Sequence, residues 1–190
     1  MLVRLFVAIE LSDPVRSSLR KMQDDLRPRC DDVRWTRPEQ LHLTVKFLGE
    51  VPDQDVDAVA AAIKSVAADL MPFEMSIAGA GCFPPSGRVR IVWAGLEENT
   101  GALQRCVAAV EEELVSLRFP REERSFSPHI TVGRVRDDRS GGRVRSLVSG
   151  STLKSVRQSV KQLSLMSSVL APQGSTYAVV MKADLGGSSR

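Results

Sequence analysis

The segment His-x-Thr-Val occurs twice in this 190-residue chain, as His42-Leu43-Thr44-Val45 and as His129-Ile130-Thr131-Val132, and the two copies use both of its histidines. Each copy lies in a run with the β-branched content of a strand, after a proline-bearing linker that follows a helical pattern. Along a strand, residues i and i+2 point the same way. His42 and Thr44 therefore share one face while Leu43, Val45 and Phe47 take the other, and His129 and Thr131 likewise oppose Ile130 and Val132. Each strand thus buries an aliphatic row on one side and presents an imidazole beside a hydroxyl on the other. The chain has six threonines, so finding one two places after each histidine is not a chance arrangement, and its meaning depends on the strand context.

The remaining pattern supplies cover for the aliphatic rows. Leu2 to Ile9 reads as a strand, followed by a helix to about Leu26 with Ser12 or Asp13 as cap and Pro14 at its first position. Val33 to Thr36 is a short extended piece, and the first motif strand, Leu41 to Gly49, is ended by Gly49 and Pro52. A helix from about Asp53 to Leu70 carries Val56, Val59, Ala60, Ile63, Val66, Ala67 and Leu70 at helical spacing. Phe73 to Ala80 and Val89 to Ala94 read as a hairpin around Pro84-Pro85-Ser86-Gly87. A helix over Ala102 to Leu117 turns Leu103, Val107, Val110 and Leu114 inward, and the second motif strand runs from His129 to Val135. Arg139 to Val148 is a short helix or a loop. Val156 to Leu170 and Thr176 to Leu185 read as two strands around Ala171-Pro172-Gln173-Gly174, leaving Gly186 to Arg190 as a frayed tail. This order lacks the strict alternation of a doubly wound parallel sheet. The predicted class is α+β, with mixed, mainly antiparallel sheets and helices packed outside.

Composition narrows the setting. A net charge of +3 and a pI near 9.0 describe a mildly basic surface, not one that coats polyanions. Arginine is frequent between residues 88 and 145, at Arg88, Arg90, Arg118, Arg121, Arg124, Arg134, Arg136, Arg139, Arg143 and Arg145 among others, which fits either a local phosphate-attracting field or a solvated face. Cys30, Cys82 and Cys106 are odd in number and form no Cys-x-x-Cys pair, as expected of reduced thiols in a cytoplasm. No secretory signal is evident, and no run approaches the ~18 apolar residues of a membrane span. A soluble cytoplasmic protein without a membrane partner is the expectation.

Two imidazoles are suited to phosphoester chemistry. Opening a cyclic phosphodiester with water needs one group to take a proton from the water and another to protonate the departing ribose oxygen. A side chain whose unperturbed pKa is about 6.5 has both forms available near neutrality. Threonine hydroxyls can hold the non-bridging oxygens as charge shifts onto them. The competing readings are histidines satisfied by local hydrogen bonds and a metal site, but neither a cysteine pair nor close carboxylates accompany these two. No Gly-x-x-x-x-Gly-Lys loop is present, so no nucleotide cofactor is implied.

Arg4-Leu5-Phe6-Val7-Ala8, Leu41-His42-Leu43-Thr44-Val45-Lys46-Phe47-Leu48-Gly49, Phe126-Ser127-Pro128-His129-Ile130-Thr131-Val132-Gly133-Arg134 and Gly174-Ser175-Thr176-Tyr177 together resemble the bacterial RNA 2′,3′-cyclic phosphodiesterases of the two-histidine phosphoesterase superfamily, historically called 2′-5′ RNA ligases. The likeness runs from the first strand to about residue 185. It implies one two-lobed domain over residues 1–185 with pseudo-twofold symmetry, the motif strands meeting across a cleft. By that resemblance His42 is the proton donor to the leaving 3′ oxygen and His129 activates water, giving a 2′-phosphate end. Thr44, Thr131 and Arg134 bind phosphate, Phe6 and Phe47 are candidates for stacking a terminal base, and Arg90 is a weaker substrate contact. Strict alternation sets Arg134 on the face away from His129, a difficulty that a β-bulge at Gly133 would remove. The implied substrates are RNA ends with a 2′,3′-cyclic phosphate, tRNA fragments among them, or small cyclic nucleotides. No cofactor, metal or obligate protein partner is implied, and a monomer is expected. The same histidines would serve 2′-5′ ligation or its reversal, and a non-catalytic RNA-end binding module would be expected to lack one histidine or threonine. Both pairs are intact, which favours an enzyme.

Overall fold

A computed structural model of the chain, describing residues 1–136, 142–169 and 175–186, places the strands in two sheets. The first is built, in order across the sheet, from β3 (His42–Pro52), β1 (Leu2–Glu10), β8 (Gln162–Val169) and β9 (Thr176–Asp184). The second is built from β2 (Val33–Trp35), β6 (His129–Val135), β5 (Ile91–Glu97), β4 (Phe73–Phe83) and β7 (Val156–Val160). All of these pairings are antiparallel. The helices α1 (Asp13–Leu26), α2 (Val56–Asp69), α3 (Ala102–Ser116) and α4 (Arg143–Ser149) pack on the sheets, α3 against β3 and α4 against β4.

The apolar periodicity explains the cover. Val15, Leu19, Met22 and Leu26 of α1, Val59, Ile63, Val66 and Ala67 of α2, and Leu103, Val107, Val110 and Leu114 of α3 are buried in one cluster with Leu5, Val7 and Ile9 of β1. Leu43 and Val45 of β3 and Ile130 and Val132 of β6 join the same cluster, so the aliphatic row of each motif strand faces the helices. Burying a side chain of this size stabilises by about 1.5–3 kcal/mol. Alternate residues of β1, Phe6 and Ala8, form a second small cluster with Met166 on the other side of the sheet. Cys30, Cys82 and Cys106 are buried, and no disulfide joins them. Among the described residues no helix is long and apolar enough to cross a membrane.

Three expectations are corrected and one open reading is resolved. Val156 to Leu170 is not one strand: the chain leaves the five-stranded sheet after Val160 and enters the four-stranded one at Gln162. Burial alternates before Lys161, at Gln158 and Val160, but is continuous after it, from Leu163 to Met166, because β8 is covered on both faces. Second, the first motif strand continues through Gly49, at φ 74°, to Pro52. Third, the hairpin arms are displaced: Gly79, at φ 71° beside an irregularity in the ladder, lets β4 run to Phe83, and β5 begins at Ile91. The open reading, a short helix or a loop, resolves as helix α4 over Arg143–Ser149, while Arg139 falls in 137–141, outside the described residues. The turn at 171–174 and the tail from 187 also lie outside them.

Candidate active site

From His42 to Leu48 and from His129 to Val135, the seven positions have the same burial sequence: intermediate, buried, intermediate, buried, buried, exposed, intermediate. Simple alternation fails at the fourth and fifth positions because each strand carries a β-bulge there. Val7 pairs with Lys46 and Ala8 with Thr44, which leaves Val45 as the extra residue. Val92 pairs with Gly133 and Trp93 with Thr131, which leaves Val132 as the extra one. A bulge re-aims every side chain beyond it. Phe47, which alternation set beside Leu43 and Val45, therefore returns to the side of His42 and Thr44. Arg134 returns in the same way to the side of His129 and Thr131, as a bulge at Gly133 requires.

Both imidazoles are held alike. His42 Nδ1 lies 2.8 Å from the Gln40 carbonyl and His129 Nδ1 lies 2.7 Å from the Ser127 carbonyl, each two residues back along the chain. A carbonyl oxygen only accepts, so Nδ1 carries a proton in both rings and Nε2 is the atom left for chemistry. The neutral ring then offers a lone pair at Nε2, and the charged ring offers a proton there. Each ring also meets an aromatic edge: Tyr177 stands 5.0 Å from His42 at 83°, and Phe83 stands 5.0 Å from His129 at 84°. Gln40 further ties the Tyr177 strand to the first motif, its amide donating to the Ser175 carbonyl at 2.9 Å.

The two motifs act on one another. β3 and β6 lie in contact, and the Arg134 guanidinium of β6 is felt at His42. Burial pushes the His42 pKa below the ordinary imidazole value, the Gln40 carbonyl opposes that, and the positive charge of Arg134 lowers it further. In the free protein His42 is thus biased toward its neutral form, in a setting that favours arrival of an anion.

The other candidate residues separate. Phe47 is 66% exposed, available to a ligand, and its ring centroid is 5.9 Å from that of Phe6. Phe6 is 1% exposed and packs against His42 at 4.9 Å and Tyr177 at 5.4 Å. The expectation that Phe6 stacks a base is corrected on that ground, since its ring is buried among the rings of His42, Phe47 and Tyr177. Arg90 is exposed just before β5, three residues and so out of phase from Trp93, and its backbone accepts from Val135 and donates to Phe83. Tyr177, Phe83 and Gln40 were not among the site residues read from sequence. The only local signal was Tyr177 in the Gly-Ser-Thr-Tyr run, since contacts between rings on separate strands leave no local pattern. Glu10, the cross-strand neighbour of His42, is engaged elsewhere, by Ser164 Oγ at 2.6 Å and Lys182 Nζ at 3.0 Å.

The chain matches the family model of LigT-like phosphoesterases over residues 9–93 and 95–177, each segment containing one His-x-Thr-Val strand. It is 35% identical over 182 residues to the RNA 2′,3′-cyclic phosphodiesterase of Methanothermobacter thermautotrophicus, covering 93% of this chain and 96% of that one. It is 34% identical over 190 residues to the protein of the same name from Thermus thermophilus, covering 97% and 91%. Among solved structures, TT0787 of Thermus thermophilus superposes with a TM-score of 0.77 at 32% identity, over 97% of this chain and 98% of that one. Escherichia coli LigT in apo form has the same fold, with a TM-score of 0.77 at 22% identity over 97% and 98%.

Proposed function

The chain belongs to the LigT-like phosphoesterase family, and on that footing we propose that it hydrolyses RNA 2′,3′-cyclic phosphate ends to 2′-phosphate ends through His42 and His129, without a metal. The observation that carries this reading is the matched anchoring of the two Nδ1 atoms, which leaves a reactive Nε2 on each ring. His129 takes a proton from water as the water oxygen bonds to phosphorus. The bond from phosphorus to O3′ breaks, and His42 delivers its proton to that oxygen. The product is a 2′-phosphomonoester with a free 3′-hydroxyl.

Charge favours this assignment once substrate is bound. Burial first, and the charge of Arg134 after it, depress His42 in the free protein; a cyclic phosphate carries one negative charge, which works against both, so His42 can take up the proton it must deliver. Thr44 and Thr131 hold the non-bridging oxygens, Arg134 neutralises the charge that builds on them, and the exposed ring of Phe47 receives the terminal base.

The test is incubation, in excess EDTA, with an oligoribonucleotide ending in a 2′,3′-cyclic phosphate. Opening to the 2′-phosphate should fall by roughly 10² to 10⁴ in His42→Ala and in His129→Ala. Formation of a 3′-phosphate, or opening indifferent to both substitutions, would overturn the mechanism.

A further inference from the structure

The two bulged strands share one burial pattern, but the buried residue after the extra valine is glycine at 133 and lysine at 46. Behind Gly133 there is no room for a side chain: an added Cβ would stand 2.6 Å from Val33 Cγ1 and 3.2 Å from the Trp35 ring. Behind the first bulge stands a charge. The Lys46 side chain is 5% exposed, and its Nζ lies 2.6 Å from Glu111 Oε2 on α3, a side chain itself 14% exposed. The same Nζ donates to the Pro120 carbonyl at 2.8 Å. Glu111 Oε2 also accepts the Glu122 backbone N–H at 3.3 Å. Pro120 and Glu122 belong to the irregular segment that leaves α3 through Arg118, at φ 67°, and leads to Ser127, whose carbonyl anchors His129.

An ion pair this buried is a poor source of stability, because the cost of removing both charges from water offsets their attraction, and apolar side chains of like volume do as well. Its specificity lies in where it holds things. A lysine two residues after Thr44 grips the segment that delivers His129, so one motif strand reaches the approach to the other. We propose that Lys46 and Glu111 are positioning residues: they moor residues 120–127 to the first motif strand and so set His129 relative to His42. This rests on the two-histidine reading above.

The experiment compares wild type, Lys46→Met, the double variant Lys46→Met/Glu111→Met, and Glu111→Gln, which disturbs shape least. Melting temperature, cyclic-phosphate opening and tryptic cleavage after Arg121 and Arg124 are measured on each. Lys46→Met alone strands a buried carboxylate and melts early. The double variant regains most of the wild-type melting temperature, yet its kcat stays about 10- to 100-fold low, because a small displacement of a catalytic group is costly. Its KM stays within about twofold of wild type, and cleavage after Arg121 and Arg124 is about tenfold faster, with Glu111→Gln moving the same way. The proposal is overturned if kcat recovers together with melting temperature in the double variant, or if the segment stays as resistant to trypsin as in the wild type in both Glu111 variants. Should the wild type open no cyclic phosphate, the two-histidine reading falls, and the trypsin comparison alone decides whether the mooring exists.

Discussion

His42 differs from a surface histidine in a way that can be read from pH. Its folded pKa is lowered, first by burial and then by Arg134, so the unfolded chain binds the proton more readily as pH falls. The stabilisation from keeping His42 neutral is fully present above the ordinary imidazole pKa of about 6.5 and is lost as pH drops through it toward the lower folded value. The loss of melting temperature between pH 7.5 and 5.5 is therefore expected to be smaller in His42→Asn than in the wild type, read by thermal denaturation at each pH. Phe47 supports a separate prediction. Under the proposed function, a ring exposed on the strand face of His42 would help to hold a base and take no part in proton transfer. Phe47→Ala should raise KM for an RNA end with kcat nearly unchanged, the loss corresponding to about 1–3 kcal/mol for one stacked base. Steady-state kinetics check it, and an unchanged KM would remove Phe47 from the binding surface.

At the scale of the element, the bulges are what convert two ordinary strands into a site. In each motif strand the extra valine faces the helices, which returns Phe47 and Arg134 to the side of the imidazoles. Gly133 makes the second bulge possible by letting β2 approach its back, where an added Cβ would overlap Val33. Gly133→Ala is expected to cost about 1–3 kcal/mol through overpacking against Val33 and Trp35. Activity should fall with it, since Arg134 follows immediately; denaturant unfolding and turnover measured on the same preparation give both numbers. A neutral effect on both would mean that the bulge does not depend on this close approach. The register irregularity is also what local sequence conceals. Gly133 hinted at it beside Arg134, but nothing in Val45-Lys46 hinted at the same break before Phe47, because a bulge is defined by what the neighbouring strand pairs with.

Across the whole molecule, distant segments meet behind the site. The buried amide of Gln23 on α1 donates to the carbonyls of Thr36 and Val132, both at 2.8 Å, and so joins a helix, the end of β2 and the bulge of β6. The Val132 carbonyl also accepts the Thr36 N–H at 2.9 Å. Replacing Gln23 with leucine removes both side-chain donors, with a cost of about 1–3 kcal/mol for each buried acceptor left unpaired. Because Thr36 N–H still serves Val132, the expected loss lies nearer the lower end of that range, measured as the shift of the unfolding midpoint. The chain of contacts from α1 through Val132 to Arg134 would be cut if Gln23→Leu left the midpoint unmoved.

The sequence by itself determined the fold class, the first three helices and their buried stripes, the strands that carry the two histidines, and the hydroxyl that shares a face with each ring. These follow from periodicities of 3.6 and 2, which are properties of a chain segment and need no partner. Only the tertiary structure decided the rest. It turned Phe47 toward the histidine side and Phe6 into packing, divided the span after Val156 between two sheets, and brought Tyr177 and Phe83 to the two imidazoles. It also placed Arg134 where its charge reaches His42. Each of these depends on which strand lies beside which, and a bulge, a sheet crossover, a ring contact or a through-space field is a relation between segments far apart in the chain, with no periodicity to announce it.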